Sequence, residues 1–489
     1  MKISSILSSS FIIASAIQFV AANPGSGVAL TPRKNSILIN PAGQPDLPTV
    51  AEAQTAAAAA SLNFDNIQGD ILIGMKKNQE LFVFFSITNS TLFKEKLKSD
   101  IKVRVTTTTQ LLPDSTQPIT ALNPLFTAGQ EADATVLGNP GTTNWVPSFL
   151  GKQIHGVFLL ASDTASNLNS FLSDLNAILQ GSIQQVYSLN GAARPGDQQG
   201  HELFGFLDGI SQPAVIGFNT PLPGQEAVPA GVILVAEDSD TVVSRPAWAK
   251  DGSFLAFRQL SQKVPESEKF LTDNPIIEDG LTPEQGSALL GTRMVGRWKS
   301  GAPVDLAPKV DDPVLAADPT RNNNFTFAHP GQGITSDQTN CPFTAHIRKT
   351  KPRADFLAVN APIDTTNQII RAGIPYGPEV LQRLPRTLPL QNVALLFVAY
   401  QSNLTNGFHF LQKNWANNVG FFFGKNVTNG TPGWDPIIGA NQGQARWTTG
   451  LDQTDFKRNI TLNNDFIVSR GGEYFFSPPL SALSGALSA

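Results

Sequence analysis

Apolar residues along this chain fall into short blocks divided by turn-forming residues, and the spacing inside each block predicts its element. β-like runs lie at Gly69–Gly74, Leu81–Thr88, Gly156–Ala161 and Ser182–Leu189. Ala165–Leu179 repeats its apolar residues at helical spacing and leads into the last of these runs. A second set of similar grammar, without close sequence repeat, follows at Gly231–Glu237, Ser253–Leu260, Val393–Gln401 and Gly407–Gln412, with helical patterns at Glu266–Leu271 and Pro283–Met294. The two sets predict alternating strands and helices with antiparallel pairing. The Pro/Gly-rich stretch Gly301–Thr339 is longer than an ordinary connection, so it is expected to wrap the core or shape access to a pocket.

The N-terminus reads differently. Met1-Lys2-Ile3, an apolar run from Phe11 to Val20, and small residues Ala21-Ala22 before Asn23 predict a signal peptide over residues 1–22. No later stretch has the ~20 apolar residues that spanning a bilayer requires, so the expectation is a secreted, extracellular protein. Residues 23–61 are rich in Pro, Gly, Thr and Ala and predict a pro-segment or disordered spacer, whose alanine run offers little to bury.

Composition narrows the class. Of 489 residues only Cys341 is a cysteine, which excludes an intramolecular disulfide and requires a large core. A net charge of −4 with no long basic run indicates neither nucleic acid nor anionic membrane as partner. Asn89, Asn324, Asn403, Asn426, Asn429 and Asn459 open Asn-X-Ser/Thr sites, as suits an exported glycoprotein.

Chemistry concentrates in a few segments. Gly205-Phe206-Leu207-Asp208-Gly209-Ile210-Ser211-Gln212-Pro213 sets a carboxylate among apolar residues, between glycines that let backbone come close to something flat. Cys341-Pro342-Phe343-Thr344-Ala345-His346-Ile347-Arg348-Lys349 puts one histidine before a run of cations that continues to Arg353. Pro342 suits the first position of a short helix ending near Pro352, leaving His346 mid-element and Arg348, Lys349 and Arg353 able to reach outward. On residue type alone His346 is either a core histidine or a ligand. Ile369-Ile370-Arg371-Ala372-Gly373 isolates an arginine among aliphatics, and strand alternation puts Leu395 and Phe397 on one face. Asp435, in Gly433-Trp434-Asp435-Pro436, is either a turn residue before proline or a partner for a histidine.

Together these segments resemble, in order from about Leu62 nearly to the C-terminus, the dye-decolourising (DyP-type) haem peroxidases of fungi, the first through their GxxDG signature. Asn66-Ile67-Gln68-Gly69-Asp70 and Gly296-Arg297-Trp298-Lys299-Ser300-Gly301 resemble further segments of that family. The resemblance implies an α+β fold of two ferredoxin-like domains with antiparallel sheets, here 62–225 and 226–489, with haem held mainly by the C-terminal one. It implies one haem b per chain with His346 as axial ligand, Asp435 as its hydrogen-bond partner and Arg353 among the propionate-binding cations. Asp208 and Arg371 become the distal catalytic pair, and Leu395 and Phe397 line the pocket. Hydrogen peroxide and aromatic reductants such as dyes, phenols and lignin-related compounds would be the substrates. Tyr376 and Trp415 match positions of surface radical relays, and both also suit simple packing. His201 stands outside the core set.

Other classes compete. A catalytically silent secreted haem-binding protein needs His346 and the cations but not Asp208 with Arg371, and a glycan-binding module needs neither. A hydrolase is disfavoured, since His155, His201, His329, His346 and His409 show no paired metal-ligand spacing and no G-x-S-x-G elbow is evident.

Overall fold

Alternation along the strands decides what the sheet buries. Phe82 and Phe84 on one strand, and Val157 and Leu159 on its neighbour, enter the central core, while Leu81, Val83, Phe158 and Leu160 face a separate outer cluster. The computed structural model describes residues 11–15, 41–74, 78–101, 124–359, 366–379, 393–425, 427 and 431–488.

The principal strands are β1 (Phe11–Ser15), β2 (Gln79–Ile87), β3 (Gly156–Ser162), β4 (Ile183–Ala192), β5 (Ser253–Gln262), β6 (Ile370–Arg371), β7 (Ile374–Tyr376), β8 (Ala394–Gln401) and β9 (Ile467–Ser477). Among the described residues they form one sheet in the order β4-β2-β3-β1-β9-β5-β8-β6, with β7 also on β8. Pairing is antiparallel within β4-β2-β3 and within β9-β5-β8, as the α+β reading requires. β1, inside the apolar run predicted as a leader, lies parallel between the two sets.

The helix Ala165–Leu179 covers the outer face of β2 and β3 through Leu168, Phe171, Leu175 and Leu179, and Thr164 caps its N-terminus. In the second set Val264–Asp273 and Pro283–Val295 pack together, the latter opened by a Thr282/Gln285 capping box and closed by Gly296 at φ 96°. Both inner faces meet in one core: Phe84 of β2 touches Phe257 of β5 edge-on at 5.0 Å.

Three runs expected as strands are not. Gly69–Ile73 is a short buried helix, Gly231–Glu237 contains a 3-10 turn at Ala230–Val232, and Gly407–Gln412 enters the helical turn Phe408–Phe410 and the π-helical turn Leu411–Ala416. All are short apolar runs, for which burial demands hydrophobicity without fixing a period. Residues 41–61, expected as part of a disordered spacer, are folded onto the body: Val50–Ala60 is a helix with a Thr49/Glu52 capping box, and Ala57 is buried in the central core. The stretch Gly301–Thr339 carries a short helix at Pro313–Ala316 and supplies the buried residues Asn322 and Asn323.

Candidate active site

The GxxDG segment is shaped before its carboxylate is used. His201 and Leu207 pair as an isolated antiparallel bridge, Asp208 N–H donates to the Gly200 carbonyl at 3.0 Å, and Leu207 N–H to that of Lys299 at 3.1 Å. Inside the turn the Glu202 carboxylate accepts from the N–H groups of Phe204 (2.9 Å) and Phe206 (2.8 Å) and from the Gln262 amide. Gly205 and Gly209 adopt φ of 94° and 83°, which a residue with a Cβ resists.

Asp208 then meets Arg371 from the opposite side. Arg371 Nη1 donates to Asp208 Oδ1, which also accepts the Gly209 N–H at 2.6 Å. Oδ2 therefore stays free of hydrogen bonds among the described residues, and 39% of the Asp208 side chain and 30% of that of Arg371 remain open to the cavity between them. Burial raises the Asp208 pKa, but the charge and hydrogen bond of Arg371 and the Gly209 N–H outweigh it and hold the carboxyl below its ordinary value. Gln212, four residues beyond Asp208, locks the pair: its Oε1 accepts Arg371 N–H at 3.1 Å and its Nε2 donates to the Arg371 carbonyl.

His346 lies within electrostatic range of Asp208 but is not among the residues that line the cavity beside Asp208 and Arg371. Its Nδ1 is 2.9 Å from Asp435 Oδ2, which leaves Nε2 as the ring nitrogen for a ligand. Asp435 is fully buried, and its Oδ1 accepts the N–H groups of Ile437 and Ile438 at 2.8 and 2.9 Å. Burial opposes the charged form, yet His346 and these N–H groups keep the carboxyl below its usual range.

The helix differs from its expected form. It runs His346–Thr350, with His346 at its first position and Pro342 in the preceding turn. Its cations do not reach outward: all three are buried. Arg348 pairs with Asp355 at 2.7 Å, and Lys349 Nζ donates to the carbonyls of Trp415 and Asn418, burial lowering its pKa to about 7. Arg353 spends Nη1 on the carbonyls of Gly224, Asn323 and Phe325 and lies 4.0 Å over the Phe325 ring.

Arg297 was not singled out from sequence. It is buried without a carboxylate partner among the described residues, held by Gly301, Asn322, Ser211 and Asn323. Burial first, then repulsion by Arg353 and Arg371, lowers its pKa to about 9. Arg353 and Arg371 add positive potential at Arg297, whose own lack of a carboxylate partner among the described residues suits an anionic ligand.

Leu395 lines the cavity above Asp208 and Arg371. Phe397 shares its half-open strand face, and Leu396 and Val398 fill the core behind. His201 lines the same cavity, its pKa lowered by burial first and Nδ1 without a partner among the described residues. Tyr376 and Trp415 are not surface residues. Tyr376, 9% exposed, accepts from Gln259 at 2.6 Å, and Trp415, 3% exposed, stacks on Phe421 at 5.0 Å.

The chain is similar to known proteins over most of its length. The DyP dimeric alpha+beta barrel domain matches residues 66–123 and 119–195, and the Dyp-type peroxidase C-terminal domain matches 290–421. Peroxidase 2 of Mycetinis scorodonius is 54% identical over 97% of this chain and 98% of its own. A dye-decolorizing peroxidase of Auricularia auricula-judae is 49% identical over 94% of this chain and 92% of its own. A crystal structure of a fungal DyP-type peroxidase from the same organism superposes with a TM-score of 0.82, covering 88% of this chain and 99% of that one. The chain belongs to the DyP-type peroxidase family. It is a dye-decolourising peroxidase, and its cofactor is haem b.

Proposed function

We propose that the protein is secreted, that Asp208 and Arg371 activate hydrogen peroxide, and that His346 would hold the iron of the haem b, for oxidation of dyes, phenols and lignin-related compounds. The observation that carries the catalytic part is the asymmetry of Asp208: Arg371 and Gly209 both donate to Oδ1 and leave Oδ2 without a hydrogen bond among the described residues, in a side chain that lines a cavity.

Haem supplies the redox chemistry when bound. His346 Nε2 would hold the iron, and Asp435, by accepting from Nδ1–H, fixes the tautomer and strengthens the donor. The charge of Arg297, without a carboxylate partner among the described residues, is the chemistry that propionates would require. Asp208 Oδ2 would take a proton from hydrogen peroxide and return it to the departing oxygen. Arg371 donates to the negative charge that builds there, and because Gln212 fixes its main chain the guanidinium needs no rearrangement. Leu395 and Phe397 exclude water from the same face.

Export is supported by the charged start, apolar run and small residues before Asn23 and by six glycosylation sequons. No helix among the described residues is long and apolar enough to cross a membrane. Pairing of Asp208 with Arg371 favours the enzyme over a silent haem carrier.

In the decisive test, Asp208→Asn and Arg371→Leu retain the haem spectrum and lose roughly 10²–10⁴-fold in the stopped-flow rate of reaction with peroxide. Unchanged rates in both variants would remove the pair from the mechanism.

A further inference from the structure

The cavity above Asp208 and Arg371 has a volume of about 210 Å³, and part of its wall comes from outside the catalytic fold. Pro41, Gln44, Leu47 and Pro48 line it beside Gly209 and Arg371. These residues precede the helix Val50–Ala60, and the family match begins only at residue 66.

The contact is specific. Gln44 Nε2 donates to the Asp208 carbonyl at 2.6 Å, and its amide covers Gly209 so closely that a Cβ there would stand 2.5 Å from Nε2. Asn322, buried at 1% exposure, anchors the segment by donating to the Gly43 carbonyl at 2.8 Å and to that of Ala316 at 2.8 Å. Gly43 has φ 92°, and a Cβ on it would lie 2.2 Å from the Ala316 oxygen. Pro41 fills the space over Gly200 that any side chain would need. Each element of the body that receives the strap carries a glycine or a buried amide shaped to it.

We propose that residues 41–48 are an intramolecular ligand of the access cavity, which shuts the catalytic pair off in the uncut chain, and that peptide-bond cleavage at the exposed turn near Ser61 opens the site. The whole-chain relative aligns over 97% of this chain, whereas the solved structure aligns over 88% of it and 99% of itself, so a stretch of this chain has no counterpart in that crystallised enzyme. Hydrolysis needs only water, and once the Ser61 connection is broken the strap loses the effective concentration that keeps its few hydrogen bonds closed. Two hydrogen bonds of ordinary strength hold the open form to roughly one-tenth of the population or less, so ligand entry slows about tenfold or more.

The proposal rests on reading residues 23–61 as a pro-segment, and the experiment separates the two. Haem-loaded chain starting at Asn23 is prepared with a site-specific protease sequence inserted at Ser61. Imidazole binding is followed spectrally before and after the cut, and amide hydrogen exchange is measured over residues 200–209 without reference to haem. Gly43→Ala, which expels the strap without cutting it, is the second arm. Expected are about tenfold faster imidazole entry and faster exchange after cutting and in uncut Gly43→Ala. Equal entry rates and equal exchange in uncut, cut and Gly43→Ala chains would overturn the strap. N-terminal sequencing of the naturally exported protein tests the pro-segment alone: a start beyond Pro48 supports it, and a fully active enzyme beginning before Pro41 would overturn both.

Discussion

Asp208 and Asp435 are both carboxylates held below their ordinary pKa, yet only one is equipped to move a proton. Asp435 is fully buried, with Oδ1 filled by two backbone N–H groups and Oδ2 by His346. Asp208 concentrates its donors on Oδ1 and leaves Oδ2 without a hydrogen bond among the described residues, in a side chain that lines the cavity. A satisfied carboxylate orients a neighbour; a half-satisfied one has an oxygen left for substrate. The difference comes from local chain geometry. Asp435 sits at the head of a turn whose N–H groups converge on it, whereas Asp208 leaves a glycine-flanked hairpin that offers one.

Breaking the proximal side should have the larger effect. His346→Ala is expected to lose haem retention, read as loss of the Soret band after gel filtration, while Asp435→Asn keeps haem and loses roughly 10–100-fold in affinity or activity. A normal ferric spectrum with full haem content in His346→Ala would dissolve the contrast. A smaller effect is expected from Gln212→Ala, which strips both main-chain partners from Arg371. It should slow the peroxide reaction several-fold and destabilise the fold by about 1–3 kcal/mol in denaturant titration, with the haem spectrum kept. Gln212→Glu keeps the acceptor for Arg371 N–H but not the donor, so an intermediate rate is the sign of positioning rather than bulk packing.

Sequence made some of this legible. Ala165–Leu179 was readable to the residue because four buried apolar residues recur at helical spacing over several turns. Leu395 and Phe397 fall on one strand face for the same kind of reason, and Asp208, Arg371, His346 and Asp435 stood out as polar residues in apolar or glycine-rich surroundings. The cations after His346 misled, since charge suggests solvent while Arg348, Lys349 and Arg353 are compensated by Asp355 and by main-chain carbonyls distant in sequence. Gln212, Arg297 and Gln44 act through partners 159, 86 and 164 residues away, and one chain has no local pattern for such pairings.

The central claim is that Asp208 Oδ2 carries the proton, and the rate of reaction with peroxide as a function of pH tests it most directly. An ordinary Asp titrates near ~3.9 and an ordinary His near ~6.5. The Asp208 carboxyl is held lower still, so its basic form persists as pH falls and the rate is lost only once pH drops through that depressed value. Wild type should therefore hold its rate down to about pH 4, and Asp208→His should lose it two to three pH units higher, near ~6.5. A wild-type rate that falls with a pKa near neutrality, or an Asp208→His profile that does not move upward, would contradict the assignment.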